Sequence, residues 1–332
     1  MQISVDAGAL CSTNKFGTYI FTENIITALS AYDKENSYTA YLYKRAFRIG
    51  DYPRVLPKVL KPTFGWMAGR VSIEELIRPN RVYLGLSQSI PWFTRAKVIS
   101  FLHGLSFFLH KDLYQDRYEA LKDQVMFATA RSQNIIVSSS RVKRELEEHF
   151  GYADAVVLPF GVPFDMEILG TIQKNVRPYF MFVGMNQPIK NIDFLIKAFL
   201  IYREEATNKD CELLLVGNHQ NLASKENNIR VVSPTRAELK QLYRNANGYL
   251  TSSLYESYNL PVTEALLQGC PVIARSTAII PELRSHVQIA DELEDFVQKM
   301  KRTHKKRTTI NEELIKEFSW RSYVNKLTSL YK

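Results

Sequence analysis

The chain has 332 residues, 45% of them hydrophobic and 23% charged, with a formal net charge of +9. That length suits two domains of ordinary size, and the composition describes a soluble globular protein with ample core. No run of about 18 apolar residues occurs, which excludes a transmembrane helix as an expectation.

The positive excess is spread evenly, with 20 Lys and Arg against 16 Asp and Glu in residues 1–165 and 23 against 18 in residues 166–332. One local run extends from Lys299 to Arg307. It reads first as a solvated helix end, with weak contact to a membrane surface as the second reading. Nucleic acid is not expected as a partner, because aromatics do not cluster among the basic residues. Cys11, Cys211 and Cys270 lie far apart, with neither metal-ligand spacing nor a disulfide framework, which fits a reducing interior. The start MQISVDAGAL begins a strand and lacks a basic segment followed by an apolar one. No signal peptide is read there, and a cytoplasmic location is expected.

Taken in order, Ile3–Ala7 is a predicted strand, followed by a loop over 8–16 and a helix from about Gly17 with Ile20, Ile25, Ile26 and Leu29 on its apolar side. Strand, glycine-containing loop and helix make the first half of a parallel α/β unit. Tyr38–Tyr43 is a second strand. Residues 51–70, with three prolines and two glycines, are expected to form an irregular insertion. Arg81–Leu86 and Lys97–Leu102 read as buried strands, the latter ending at His103-Gly104. A helix over Leu113–Arg131, a strand over Ile135–Ser138 and a helix over Ser140–Phe150 closed by Gly151 follow.

The second half restarts the alternation. Pro178–Val183 is a strand, and FVGMNQPIKNIDFLIKAF leads into a helix with Ile192, Leu195, Ile196 and Phe199 on its apolar side. Asn191 suits a helix cap. Glu212–Gly217 and Ile229–Val232 are strands, and Arg236–Asn245 is a helix. The stretch from Leu250 to Pro281 reads as strand, loop, helix, strand and loop. Pro261 suits a helix's first turn and Gly269 its stop. Two carboxylates, Glu256 and Glu264, flank the helix start, which offers backbone N–H groups and the positive end of a dipole. On spacing alone Glu264 is equally well a first-turn acid favouring the dipole.

The string SLYESYNLPVTEALLQGCPVIA (253–274) resembles the donor-binding signature of the retaining glycosyltransferases of family 4. Glu256, Leu260, Pro261, Glu264, Ala265, Gly269 and Pro271–Ala274 fall in register with S-x-Y-E-G-F-G-L-P-x-x-E-A-x-x-x-G-x-P-V-I-A. Departures are Ser257, Tyr258 and Asn259 for Gly-Phe-Gly, Gly104 for the Asp that often follows His103, and Met185 and Ile189 where Arg is common. Asn tolerates unusual backbone angles, so the loop shape is expected to survive. VVLPFGVPFD (156–165), Pro281-Glu282-Leu283 and the C-terminal FSWRSYVNKLTSLYK also match family elements.

The resemblance implies the GT-B fold: α/β, two doubly wound Rossmann-like domains facing each other across a cleft. It places an acceptor-side domain at 1–164 and a donor-binding domain at 165–318, with a helix at 319–332 returning to the first. It further implies roles for single residues. Lys190, helped by Lys15, compensates the diphosphate. Gly17 and Gly184 face the phosphates and Ser233 the base. Residues Ser257, Tyr258, Asn259 and Leu260 line the donor loop. Glu264 bonds the ribose, His103 lies under the donor sugar, and Glu256 contacts the sugar near the reacting carbon.

The implied reaction is hexose transfer from a nucleotide-sugar donor to a glycan, glycoprotein or glycolipid hydroxyl with retention. UDP-glucose is the first expectation for the donor and GDP-mannose the second. Neither a cofactor nor a metal is expected, and no D-x-D triplet occurs. A nucleotide-sugar epimerase of the same fold and an inactive nucleotide-sugar-binding relative are the alternatives. Oligomeric state is not legible.

Overall fold

The computed structural model describes residues 1–13, 17–45, 52–166, 177–303 and 316–332. The chain divides into two compact units, one made of Met1–Gly161 with Glu317–Lys332 and the other of Val162–Lys316. The division falls after Gly161 rather than at 164. No helix among the described residues is long and apolar enough to cross a membrane.

In the first unit the strands are β1 (Gln2–Asp6), β2 (Ser37–Leu42), β3 (Val55–Val59), β4 (Val82–Gly85), β5 (Lys97–Leu102), β6 (Asn134–Val137) and β7 (Val156–Val157). They form one parallel sheet in the order β3-β2-β1-β4-β5-β6-β7. Helices α1 (Gly17–Tyr32), α2 (Ser72–Ile77), α3 (Ser106–Leu109), α4 (Tyr118–Arg131) and α5 (Ser140–Phe150) connect them. The middle strands are buried but for Lys97 at the start of β5, as expected of a parallel sheet covered on both faces.

Local signals explain most helix ends. Ser139 caps α5, its hydroxyl accepting from the Val142 amide, and Gly151 stops it in the left-handed region at φ 67°. The C-terminal helix, Trp320–Ser329, packs on α1 within the same unit. Trp320 covers Gly161 so closely that a Cβ there would lie 2.5 Å from its ring.

Two expectations fail here. Residues 51–70 are not irregular throughout, since Val55–Val59 extends the sheet in parallel register with β2. The alternation that marks a half-buried strand is broken by Pro57 and Lys58, so no strand period was visible. The helix expected from Leu113 begins at Tyr118, because residues 111–117 wind as two short 3-10 turns.

In the second unit β8 (Tyr179–Val183), β9 (Glu212–Val216), β10 (Ile229–Val232), β11 (Gly248–Thr251), β12 (Val272–Ala274) and β13 (Gln288–Ile289) form a parallel sheet ordered β10-β9-β8-β11-β12-β13. Helices α6 (Ile192–Arg203), α7 (Arg236–Asn245), α8 (Leu260–Leu267) and α9 (Leu293–Thr303) flank it. Phe180 and Phe182 of β8, Leu213 of β9, Leu250 of β11, and Leu195 and Phe199 of α6 meet in one core. Each fully buried side chain of this size contributes about 1.5–3 kcal/mol from apolar area alone. Thr235 and Glu238 close a reciprocal capping box that starts α7. Asn191 precedes α6, but it sits in the left-handed region at φ 49° and its side chain makes no cap hydrogen bond, contrary to expectation.

Candidate active site

A doubly wound sheet binds ligands outside the carboxyl ends of its strands, where the winding reverses. In the second unit the chain runs from β8 outward through β9 to β10. It then crosses to β11 and continues outward through β12 to β13, so the switch point lies between β8 and β11. The segments leaving those two strands carry Lys190 and Glu256. They are tied together: the Leu254 amide donates to the Ile189 carbonyl at 2.8 Å, and the Ser252 hydroxyl donates to the Asn191 carbonyl at 2.7 Å.

Lys190 Nζ donates to Glu256 Oε1 at 2.6 Å, and the Ser253 hydroxyl donates to the same oxygen at 2.7 Å. The Lys190 side chain is 21% exposed and that of Glu256 is 14% exposed, so the pair is sequestered but reachable. Gly184 opens the same segment. Its carbonyl accepts from His219 Nε2 at 2.9 Å and presses on Gly217, where a Cβ would lie 2.3 Å away. Only glycine fits at 217, which also has φ +134°.

After Glu256 the chain turns into α8 through Ser257, Tyr258 and Asn259. Tyr258 is buried, and Asn259 adopts φ 69°, ψ 68°. Its amide donates to Thr251 Oγ1 at 3.3 Å and to the Ala278 carbonyl at 3.1 Å, which fixes the left-handed turn that glycine would otherwise supply. Leu260 and Pro261 open the helix.

Glu264 is not in the first turn; it is the fifth residue of α8 and is buried. Oε1 accepts from Arg236 Nη2 at 2.8 Å and Oε2 from the Tyr243 hydroxyl at 3.0 Å. Burial pushes its carboxyl above the usual range, opposed chiefly by Arg236. Arg236 also donates to both oxygens of Asp165, from Nε at 2.7 Å and Nη2 at 2.9 Å. The charge of Glu264 is thus answered by a guanidinium rather than by a helix dipole. Arg236, Tyr243, Asp165 and Ser253 were missed from sequence. The one available signal was Thr235-x-x-Glu238, which marks the helix start that carries Arg236. Ser233 is exposed just before that start.

The first unit has its own switch point, between β1 and β4. There Asp6 is buried, its oxygens accepting from the Gly8 amide and the Ser87 hydroxyl, each at 2.9 Å. Desolvation raises its carboxyl above the usual range. His103, just after β5, donates from Nε2 to the Leu86 carbonyl at 2.7 Å and lies edge-on to Phe21. A carbonyl only accepts, so Nε2 carries the hydrogen and Nδ1 is the acceptor of the neutral ring. Burial lowers the His103 pKa, which favours that neutral form. Gly17 is the first residue of α1, and a Cβ there would meet nothing within 4 Å. Lys15 lies outside the described residues. The structure therefore brings Lys190, Glu256 and the 257–260 turn together in one unit, with Gly184 on the Lys190 segment, while His103 and Gly17 belong to the other. Among the described residues there is no group of three or more His, Cys, Asp and Glu able to hold a metal ion.

Residues 177–306 match the family model described as "Glycosyl transferases group 1". The chain is 24% identical over 235 residues to D-inositol 3-phosphate glycosyltransferase of Corynebacterium aurimucosum, a match covering 59% of this chain and 56% of that protein. It is 24% identical over 225 residues to O-antigen chain mannosyltransferase B of Escherichia coli, covering 61% and 58%. The matched stretches thus span less than two thirds of these curated relatives. Among solved structures, sucrose-phosphate synthase from Thermosynechococcus elongatus superposes with a TM-score of 0.73 at 15% identity, over 100% of this chain and 98% of that one. The fold is GT-B. The likeness to group 1 glycosyl transferases thus lies in residues 177–306, and the solved structure shows the fold of the whole chain.

Proposed function

We propose that the protein is a retaining glycosyltransferase that moves a hexose from a nucleoside diphosphate sugar to a hydroxyl of a glycan or glycan-bearing acceptor. The observation that carries this reading is the Lys190–Glu256 pair at the β8/β11 switch point, inside the stretch that matches the group 1 family. The departing diphosphate gains negative charge, so a cation and a helix N-terminus must meet it where that charge develops. Lys190 and the start of α8 supply these. The sugar passes through an oxocarbenium-like state, which a carboxylate favours. Glu256, held by Lys190 and Ser253, takes that position near the reacting carbon, and Glu264 takes the ribose. Retention is assigned to reaction on one face, with the donor phosphate helping to deprotonate the acceptor. The reading needs no metal, takes UDP-glucose as first donor and GDP-mannose as second, and assigns the acceptor to the first unit.

The test is thermal stabilisation by UDP, GDP, ADP and their sugar conjugates, with and without magnesium, followed by turnover with the stabilising donor. A ligand well above its dissociation constant stabilises by about 3–4 kcal/mol, which a melting shift reports. The expected result is a metal-independent shift with one nucleotide, lost in Glu264→Ala, and an α-linked product from an α-linked donor. An epimerised free donor would turn the reading to the epimerase. Binding without turnover would leave an inactive relative, and silence from every nucleotide would overturn the site.

A further inference from the structure

The segment that carries Lys190 runs from Gly184, just past the end of β8, into a 3-10 turn at Pro188–Lys190. Its far end is fastened to the segment after β11. There the Leu254 amide donates to the Ile189 carbonyl, and the Ser252 hydroxyl reaches the carbonyls of Lys190, at 3.2 Å, and Asn191. Its near end is fastened from the other side, by the segment after β9, and the residue that does so is His219.

His219 is fully buried, although its neighbours Asn218 and Gln220 are exposed. A polar ring turned inward loses water and must find a partner. That partner is the Gly184 carbonyl, which accepts from Nε2 at 2.9 Å, so Nε2 carries the hydrogen. The Phe182 ring lies edge-on to the imidazole, with centroids 5.8 Å apart and planes at 67°, and holds its tilt. Space around the bond is closed on both sides. A Cβ at Gly184 would lie 2.8 Å from the Phe182 ring, and one at Gly217 would lie 2.3 Å from the Gly184 oxygen. Asn186 Nδ2 donates to Asn221 Oδ1 at 3.1 Å, a second and exposed tie between the same two segments. Burial lowers the His219 pKa, so the ring is a neutral donor, and Lys190 is the one cation of residues 184–190.

We infer that His219 is a positioning residue: through the Gly184 carbonyl it fixes the near end of the segment that presents Lys190 to Glu256. That Lys190 then meets a donor diphosphate rests on the proposed function, whereas its placement against Glu256 does not. Held at both ends, the segment gives the ammonium one place. Held at the far end alone, it gives several, and a group aimed at developing charge loses rate steeply with small displacements. A side chain that only filled the space would serve equally well without its N–H donor, which is the difference the experiment reads.

His219→Leu fills the space without a donor, and His219→Gln returns an amide N–H at similar reach. The first readout uses no nucleotide. The coupling between Lys190 and Glu256, from denaturant unfolding of the Lys190→Ala and Glu256→Ala cycle, is measured in each background of the full chain. It should weaken in His219→Leu and return in His219→Gln. The second readout is release of nucleoside diphosphate from the donor that stabilises the protein. There kcat should fall about tenfold to a hundredfold in His219→Leu, with KM for the donor little changed, and recover in His219→Gln. Asn221→Ala removes the exposed tie and should move both readouts in the same direction by less; it decides the matter if the leucine variant does not fold. The inference is overturned by a coupling that is the same in every background, by leucine and glutamine variants that lose kcat equally, or, where leucine does not fold, by Asn221→Ala with the parent's coupling. A parent chain that turns over no donor would overturn the proposed function and leave the coupling to decide on His219.

Discussion

Replacing Lys190 by alanine separates its ion pair with Glu256 from the duty proposed for it at the donor diphosphate. Its ammonium neutralises Glu256, donating to Oε1 at 2.6 Å. At an effective dielectric constant of about 20, the bare attraction at that separation is about 6 kcal/mol. Desolvation of both ions cancels most of it. Exposed pairs are worth about 0–1 kcal/mol, and breaking a fully buried pair costs about 3–5 kcal/mol. With side chains 21% and 14% exposed, the pair falls between these limits, and a loss of about 1–3 kcal/mol is expected. Denaturant unfolding of the single and double Lys190→Ala and Glu256→Ala variants reads the coupling directly.

The catalytic duty is read separately. If Lys190 meets the leaving diphosphate, its removal lowers kcat by about 10²–10³, the usual effect of losing one group aimed at developing charge. Lys190→Arg keeps the charge in a different geometry and should recover stability more fully than turnover. Release of nucleoside diphosphate gives the rate. Lys190→Ala turning over at the parent rate, or a double-mutant cycle with no coupling, would refute the reasoning.

Arg236→Ala leaves Glu264 buried with only the Tyr243 hydroxyl, and a stability loss of about 3–5 kcal/mol is expected from the unpaired charge. Because its carboxyl is then raised further, that loss should shrink as the pH falls toward 4.5, the ordinary value for glutamate. Asn259→Gly keeps the left-handed turn but loses two amide hydrogen bonds, whereas Asn259→Val adds about 1–2 kcal/mol of backbone strain. Valine should therefore unfold at lower denaturant than glycine, and the reverse order would refute a left-handed turn there. Burial also raises the folded pKa of Glu75 above 4.5. A raised acid contributes stability that is fully present below the unfolded value and is lost as pH rises through the folded one. Glu75→Gln should flatten that part of the stability profile, measured by denaturant unfolding above pH 4.5.

Much of the fold was legible because its signals are local. The apolar runs of β9 and β11, the stop at Gly151, and Pro261 and Gly269 around α8 announce themselves within a few residues. The Glu256 and Glu264 positions were legible through the 253–274 string, though not their surroundings. Residues 51–70 resisted because an edge strand carrying Pro57 and Lys58 shows no period. Arg236 resisted because nothing in its own neighbourhood says that an acid 28 residues away will need it.

The α/β alternation, the two-part organisation and the segments that bear Lys190, Glu256 and Glu264 follow from local order along the chain, since each depends on side-chain period and turn residues a few positions apart. Which charges meet depends instead on how distant strands pair. Lys190 and Glu256 are 66 residues apart and adjoin because β8 pairs with β11 rather than with β10. The same holds for α2, where Ser72, Glu74 and Glu75 are buried while Ile73, Leu76 and Ile77 face solvent. Ser4, Tyr41 and Thr94 come from distant segments, and until they converge on Glu75 nothing turns that helix's isoleucines and leucine toward solvent.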